Sequence, residues 1–137
     1  MTAQNLGIIV NGATGGICSF QHIENSLAPI RAEGGLKIGD ETIMPRLLLV
    51  ARDETRLAEI ARHNNLEDWT TDLDEALAQP GIEAAILVSP TPMHAVQAVQ
   101  VMQAGKHVLI EIPMADSLAD AERVVEVQKE TGLVAMA

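Results

Sequence analysis

The fold is decided by the stretch Leu6-Gly7-Ile8-Ile9-Val10-Asn11-Gly12-Ala13-Thr14-Gly15-Gly16-Ile17-Cys18. Its apolar beginning, residues 6–10, predicts a buried strand that runs directly into a glycine-rich turn and then into a helical segment. Glycines at such a turn let the backbone approach a phosphate, and the amino end of the helix offers free N–H groups and a positive potential. The stretch therefore predicts a phosphate-binding turn made of six residues: Gly12, Ala13, Thr14, Gly15, Gly16 and Ile17.

The glycine spacing in this turn differs from the Gly-x-Gly-x-x-Gly pattern of dinucleotide-binding turns. With Gly15 as the central glycine, Ala13 and Cys18 stand at the outer two positions, and Gly12 lies one residue early. Glycine-rich turns also occur in α/β proteins that bind flavins or methyl donors, and these alternatives stay open. Since Cys18 occupies a position of close helix–strand packing, we expect a buried thiol without nucleophilic activity.

Apolar runs of strand length alternate with helical patterns along the whole chain. Further strands are predicted at residues 46–51, 69–71, 84–88, 107–112 and 133–137. Helical periodicity is found at residues 52–64, 72–79, 92–104 and 117–131. Runs that are apolar on both faces are typical of a parallel sheet covered by helices on both sides. The order predicts an α/β fold with a doubly wound parallel sheet of about six strands, that is, one Rossmann domain over residues 1–137.

Residues 29–45 interrupt this rhythm. They contain the pairs Gly34-Gly35 and Gly39-Asp40 and few apolar residues at helical or strand spacing. Surface connections tolerate such insertions, whereas a buried connection would leave backbone groups unpaired. We therefore expect an inserted loop or small hairpin between the first helix and the second strand.

Composition narrows the classes of function. Of the 137 residues, 47% are hydrophobic and 20% are charged, which is typical of a globular domain. The formal net charge of −10 argues against nucleic-acid or anionic-membrane partners, which need clustered Lys and Arg. We find no apolar run near the roughly 20 residues that span a bilayer, no secretory signal and no metal-ligand spacing. A single cysteine fits a reducing compartment, so we expect a cytoplasmic protein.

In a sheet of this kind, the end of the second strand discriminates between NAD and NADP. An acidic side chain there accepts hydrogen bonds from the ribose, whereas an arginine pairs with the 2′-phosphate of NADP. Arg52 is placed for such a pair, and Asp53 lies one residue late, where it can cap the next helix. The sequence favours NADP over NAD, with the alternative that both residues only begin the helix.

Two further turns follow the fourth and fifth predicted strands, at the same edge of the sheet as the glycine turn. They read Ser89-Pro90-Thr91-Pro92-Met93-His94 and Glu111-Ile112-Pro113, and Ala104-Gly105-Lys106-His107-Val108 leads into the fifth strand. Together with the glycine turn, these motifs resemble the N-terminal NAD(P)-binding domain of the Gfo/Idh/MocA oxidoreductase family. The resemblance implies that six residues line the nicotinamide half of the cofactor or lie near its ring: Ser89, Pro90, Thr91, His94, Glu111 and Pro113.

The resemblance also implies what this stretch does not carry. The family usually has a lysine between the Glu and the Pro that assists proton transfer, and Ile112 stands at this position. A substrate domain follows the Rossmann domain in the family, and we expect it to be absent here. The resemblance thus implies a cofactor domain that is catalytically incomplete alone and holds no catalytic residue. The alternative is a non-catalytic engineered or truncated Rossmann scaffold.

The two halves of the chain resemble different branches of the family. Residues 111–136 are similar to 4-carboxy-2-hydroxymuconate-6-semialdehyde dehydrogenases, whereas the first half, with its insert, resembles another branch. A single natural gene and a recombined or engineered chain are both consistent with this pattern. The last predicted strand is an apolar sheet edge, which predicts a homodimer or aggregation through residues 133–136.

Overall fold

The computed structural model describes residues 2–137, and within them one sheet of seven strands forms the centre of the molecule. The strands are β1 (Thr2–Asn11), β2 (Leu36–Ile38), β3 (Glu41–Val50), β4 (Asp68–Thr70), β5 (Ile82–Leu87), β6 (His107–Ile110) and β7 (Ala135–Met136). The helices are a π-helix (Cys18–Leu27), α1 (Ala28–Ala32), α2 (Glu54–His63), α3 (Leu73–Ala78), α4 (Thr91–Gln103) and α5 (Leu118–Thr131).

Six of the strands run parallel in the order β4-β3-β1-β5-β6-β7. The seventh, β2, pairs antiparallel with the first residues of β3, on the edge that β4 occupies farther along. From β1 the chain first continues to β3 and β4 on one side, and then crosses to β5, β6 and β7 on the other side. The direction of connection therefore reverses at β1, which lies between β3 and β5. This confirms the predicted doubly wound α/β fold, and ligands of such sheets bind at the carboxyl ends of the strands near that reversal.

Side chains on successive residues of the central strands bury themselves on opposite faces. Ile8 and Val10 belong to one apolar cluster, with the π-helix and α2, whereas Ile9 belongs to the other, with α3, α4 and α5. The pattern repeats in β3, where the four consecutive apolar residues at 47–50 alternate between the clusters. Both faces are therefore covered by helices, which explains why the strands read as continuous apolar runs.

Helix ends follow the capping residues that the sequence offers. Asp53 begins α2 by accepting a hydrogen bond from the Arg56 N–H at 3.0 Å, and Ser117 begins α5 through the Asp120 N–H at 3.1 Å. Gly132 ends α5 in the left-handed conformation, with φ of 68°. No helix within residues 2–137 combines the length and apolarity needed to cross a membrane.

Residues 29–45 contain less irregular chain than the sequence predicted. The helix α1 extends to Ala32, and residues 41–45 already belong to β3. Between them, β2 forms a short hairpin with the start of β3. The alternative of a small hairpin is therefore confirmed, whereas the predicted bounds were too wide at both ends. Residues 41–45 pair with Thr2–Leu6 of β1 beyond the buried apolar run, where polar side chains conceal the strand pattern.

Candidate functional site

A cleft of about 760 Å³ opens where β1, β3 and β5 end. Its walls come from the three turns that follow these strands, and its lining residues are Asn11, Gly12, Thr14, Gly15, Ala51, Arg52, Asp53, Val88, Ser89, Pro90, Pro92, Met93 and Gln97. The structure thus brings together Gly12, Thr14, Gly15, Arg52 and Ser89, which lie up to 77 residues apart in the predicted site. Pro90 also lines the cleft, and the parallel order of the strands is what places all of them at one edge.

Gly12 allows the turn after β1 to pack directly against the turn after β5. Its φ is +87°, which side-chain-bearing residues rarely adopt, and a Cβ atom there would lie 2.5 Å from the carbonyl oxygen of Val88. The N–H groups of Gly12 and Ala13 donate to the carbonyl of Val50, at 2.8 and 3.1 Å. These two amides hold the turn against β3, so they are not offered to a phosphate. Ala13 is fully buried and packs in the interior, and its contact with a ligand stays a prediction.

The exposed part of the turn is Gly15–Ile17, at the start of the helix. The Gly15 N–H donates to the Gly12 carbonyl, and the Ser19 N–H makes an early helical bond, to Gly15, each at 2.9 Å. The amides of Gly16 and Ile17 precede that bond, and the leading N–H groups of a helix have no acceptor within the helix. This short segment is therefore where an anion would find donors.

Asn11 is a cleft residue that the sequence analysis missed. Its side chain is only 5% exposed, and its Nδ2 atom has no hydrogen-bond partner among the described residues. Leaving such a donor unpaired in the interior costs about 1–3 kcal/mol, which a polar ligand in the cleft would recover. The available signal was a polar residue at the end of an apolar strand, directly before the first glycine. The orphaned amide and the Gly12 cradle both fit a polar, phosphate-containing ligand.

At the end of β3, Arg52 and Asp53 have different roles. Asp53 caps α2, as the sequence analysis allowed, whereas the exposed Arg52 side chain is free of any described hydrogen bond and lies at the rim of the cleft. A guanidinium in this place can pair with a phosphate without first breaking an internal contact.

His94 is buried below the cleft. It is 2% exposed, and its Nε2 lies 2.6 Å from the Ser89 carbonyl while its Nδ1 lies 2.9 Å from the Pro113 carbonyl. Both ring nitrogens thus face backbone oxygens of the two turns that follow β5 and β6. The ring thus links the two turns through backbone contacts, and the direct contact with a cofactor stays a prediction.

The remaining predicted residues lie beside the cleft. Thr91 is the first residue of α4, and Glu111 and Pro113 follow β6, next to the end of β5. The peptide bond between Ile112 and Pro113 is cis. The Glu111 N–H donates to the Leu87 carbonyl at 2.9 Å, which fixes this turn to the neighbouring strand.

Two side chains of the π-helix lie near Glu111. The Nε2 atom of His22 lies 2.9 Å from Oε2 of Glu111, and this hydrogen bond is the main reason why the pKa of Glu111 is held below its ordinary value. His22 is therefore a partly buried residue with a partner far away in the sequence. Burial, with a smaller effect of the Glu111 charge, raises the pKa of Cys18 to about 12. The predicted burial of this thiol is confirmed, and its lack of nucleophilic activity stays a prediction.

Comparison with known proteins places the chain in a family. The family model described as "Oxidoreductase family, NAD-binding Rossmann fold", Gfo/Idh/MocA, matches residues 13–137. The chain is 50% identical over 88 residues to 4-carboxy-2-hydroxymuconate-6-semialdehyde dehydrogenase of Sphingobium sp. (strain SYK-6), covering 64% of this chain and 28% of that protein. It is 33% identical over 129 residues to D-xylose dehydrogenase of Paenarthrobacter nicotinovorans, covering 93% and 33%.

Among solved structures, a levoglucosan dehydrogenase in complex with NADH and levoglucosan superposes with a TM-score of 0.79 and 23% identity, covering 97% of this chain and 34% of that one. This likeness is one of fold. The chain spans about a third of the length of these relatives.

Proposed function

The chain belongs to the Gfo/Idh/MocA oxidoreductase family as its NAD-binding Rossmann domain, and we propose that its cleft holds the nicotinamide dinucleotide of an NAD(P)-dependent dehydrogenase. The observation that carries this proposal is the meeting of the turns after β1 and β5 at Gly12 and Val88, beside the unpaired amide of Asn11. A polar ligand with a phosphate group would satisfy that amide and the free N–H groups of the glycine turn.

Different residues of the chain would bind different parts of such a cofactor. The amides at Gly16 and Ile17 would bind the pyrophosphate, and the Asn11 amide would donate to the part of the cofactor beside it. Ser89 and Pro90, with Thr91, would flank the nicotinamide half, and Glu111 and Pro113 would lie at its far end. The bound nicotinamide would supply the hydride chemistry, and the residues named here would position it.

For the choice of cofactor, we propose NADP over NAD. The support is the Arg52 side chain, which lies at the rim of the cleft and makes no described hydrogen bond, whereas Asp53 is engaged as the cap of α2. An arginine here matches the doubly charged 2′-phosphate, and the capping aspartate is less available to a ribose.

We propose further that these 137 residues bind the cofactor without turning over a substrate. Ile112, at the position where the family usually carries a lysine, is 72% exposed and has no group that can transfer a proton. The relatives are about three times as long, so a substrate domain with acid–base residues would lie outside this stretch.

A second candidate is a non-catalytic, engineered Rossmann scaffold that binds no nucleotide. The exposed Ile112 favours a non-catalytic role for this candidate. The uneven similarity favours a recombined origin, since a 50% identical relative matches 64% of the chain and a 33% identical one matches 93%. A natural gene encoding the same order of segments would remove the proposal of a recombined origin.

For assembly and location, we propose a homodimer in the cytoplasm. The strand β7 pairs on one side with β6, and its exposed Met136, with Val134 before it, would form an apolar edge for a second copy. A monodisperse monomer in sedimentation at micromolar concentration would exclude the dimer. The single cysteine fits a reducing compartment, which fractionation of the source cells would check.

The test of the main proposal is titration of NADPH and NADH into the purified chain, followed by nucleotide fluorescence and thermal shift. Flavin mononucleotide and S-adenosylmethionine serve as matched controls, because glycine-rich turns also serve those ligands. Stabilisation by a nicotinamide nucleotide with saturable fluorescence is the expected result. If neither nucleotide binds at millimolar concentration, the scaffold candidate replaces the proposal.

A further inference from the structure

His22 and Glu111 form a contact between two distant parts of the chain. They are 89 residues apart in sequence, and the Nε2 atom of His22 lies 2.9 Å from Oε2 of Glu111. The two side chains are 25% and 30% exposed, so water has restricted access to the pair. A bond at this distance between partly buried partners orients both side chains, whereas fully exposed pairs contribute little.

The Glu111 carboxylate is held at both oxygens. While Oε2 faces His22, Oε1 accepts a hydrogen bond from the Ile112 N–H at 3.2 Å. Both contacts lower the pKa of Glu111, with that of His22 the larger, and the charges of His22 and His94 add to the effect. The result is an ionised acceptor with a fixed direction, and such a carboxylate recognises hydroxyl or amide donors of a ligand.

The pair joins the two ends of the proposed cofactor site. His22 belongs to the π-helix that begins just after the phosphate-binding turn. Segments of π-helix occur frequently at functional sites. Glu111 is bonded through its N–H to Leu87, the last residue of β5, and Val88 and Ser89 of the cleft follow directly. A displacement of the carboxylate would therefore shift the residues that lie beside the nicotinamide half of the cofactor.

We propose that His22 is a positioning residue of the cofactor site, which fixes the Glu111 carboxylate and through it strengthens nucleotide binding. The inference rests on the proposed function, because it assigns His22 a role toward the same nicotinamide nucleotide. His22 need not touch the cofactor in this arrangement. Its effect passes entirely through Glu111, and this gives it a distinctive signature in a double-mutant cycle.

The experiment measures the Kd for NADPH and NADH by fluorescence for five proteins: wild type, His22→Ala, His22→Gln, Glu111→Ala and the double variant His22→Ala/Glu111→Ala. The matched control is His63→Ala, which removes a histidine that is 72% exposed and lies 4.0 Å from the Glu24 carboxylate. Circular dichroism and thermal unfolding check that each variant is folded. If His22→Ala does not fold, His22→Leu and the double variant His22→Leu/Glu111→Ala complete the cycle, because leucine also removes the N–H donor.

We expect His22→Ala to raise the Kd of the tighter-binding nucleotide about 5- to 10-fold, in keeping with loss of one charge-assisted hydrogen bond. The same change should have no effect in the Glu111→Ala background, where His22 has no acceptor left, and His22→Gln, which keeps an N–H donor, should restore part of the affinity. Equal losses in both backgrounds, or a Kd unchanged by His22→Ala, would overturn the inference while leaving the proposed function standing. If the wild type binds neither nucleotide, the proposed function fails, and this inference fails with it.

Discussion

Gly12 packs against Val88 so closely that the carbonyl oxygen of Val88 occupies the space a Cβ atom on Gly12 would need, with 2.5 Å between them. The contact joins the turn after β1 to the end of β5, which are the two halves of the cleft. Because the Gly12 N–H also donates to Val50 at the end of β3, one glycine ties three strand ends together. The site thus depends on a residue with no side chain.

Replacing Gly12 by alanine tests this arrangement. We expect Gly12→Ala to lower the free energy of unfolding by about 1–3 kcal/mol from the strained φ alone, with a further loss from the overlap with Val88. Urea unfolding measures the change. The control is Gly16→Ala, where a Cβ atom would meet nothing within 4 Å, and equal unfolding midpoints for the two variants would contradict the packing argument.

Arg52→Gln tests the preference between nicotinamide cofactors. We expect the Kd for NADPH to rise about tenfold while the Kd for NADH stays unchanged, since the guanidinium would pair with the 2′-phosphate that NADH lacks. Fluorescence titration of both nucleotides gives the ratio. Arg62→Gln, an exposed arginine in the last turn of α2, serves as the control. A loss shared equally by the two nucleotides would show that Arg52 does not read the phosphate.

His94→Ala removes the ring between the carbonyls of Ser89 and Pro113. At least one of the two oxygens then loses a hydrogen-bond donor in a buried place, so we expect a loss of about 1–3 kcal/mol in the free energy of unfolding and weaker NADPH binding. Chemical unfolding and titration measure the two effects. The exposed His63, replaced in the same way, should leave both unchanged, and a His94→Ala protein as stable as wild type would refute the bridging role.

The lowered pKa of Glu111 predicts how its contribution to stability varies with pH. Its folded-state pKa lies below the unfolded value of about 4.3, so the contribution is present above that value and is lost as pH falls through the folded pKa. We expect Glu111→Gln to reduce stability at neutral pH and to match wild type at the acid end. Urea unfolding across the pH range tests this against Glu83→Gln on exposed β5 surface. A difference that does not change with pH would contradict the linkage.

Cys18 should resist alkylation in the folded protein. Its thiol is buried and has a pKa of about 12, so at pH 8 very little thiolate is present, and reagent cannot reach it. Mass spectrometry after iodoacetamide treatment should find label after denaturation and almost none before. A Cys18→Ser/Ser26→Cys protein places the thiol on the exposed surface of the same helix and should be labelled while folded. Equal labelling of Cys18 in folded and denatured protein would refute its burial.

Much of the fold could be predicted because its signals are local. The continuous apolar run at 47–50 fills both faces of the sheet, and the caps at Asp53 and Ser117 begin the predicted helices. The prediction was incomplete in the first half of β3, where Glu41, Thr42 and Pro45 interrupt the apolar pattern. There the strand is specified by its partner β1, and not by its own pattern.

The sequence by itself determined the order of the six parallel strands, the glycine turn and the resemblance that led to the family, since each depends on neighbouring residues. Only the tertiary structure decided that His94 faces inward, that Asn11 keeps an unpaired amide in the cleft, and that His22 meets Glu111. These contacts depend on which strand ends lie side by side. That arrangement is set by burial of both faces of the whole sheet, so no local pattern carries it.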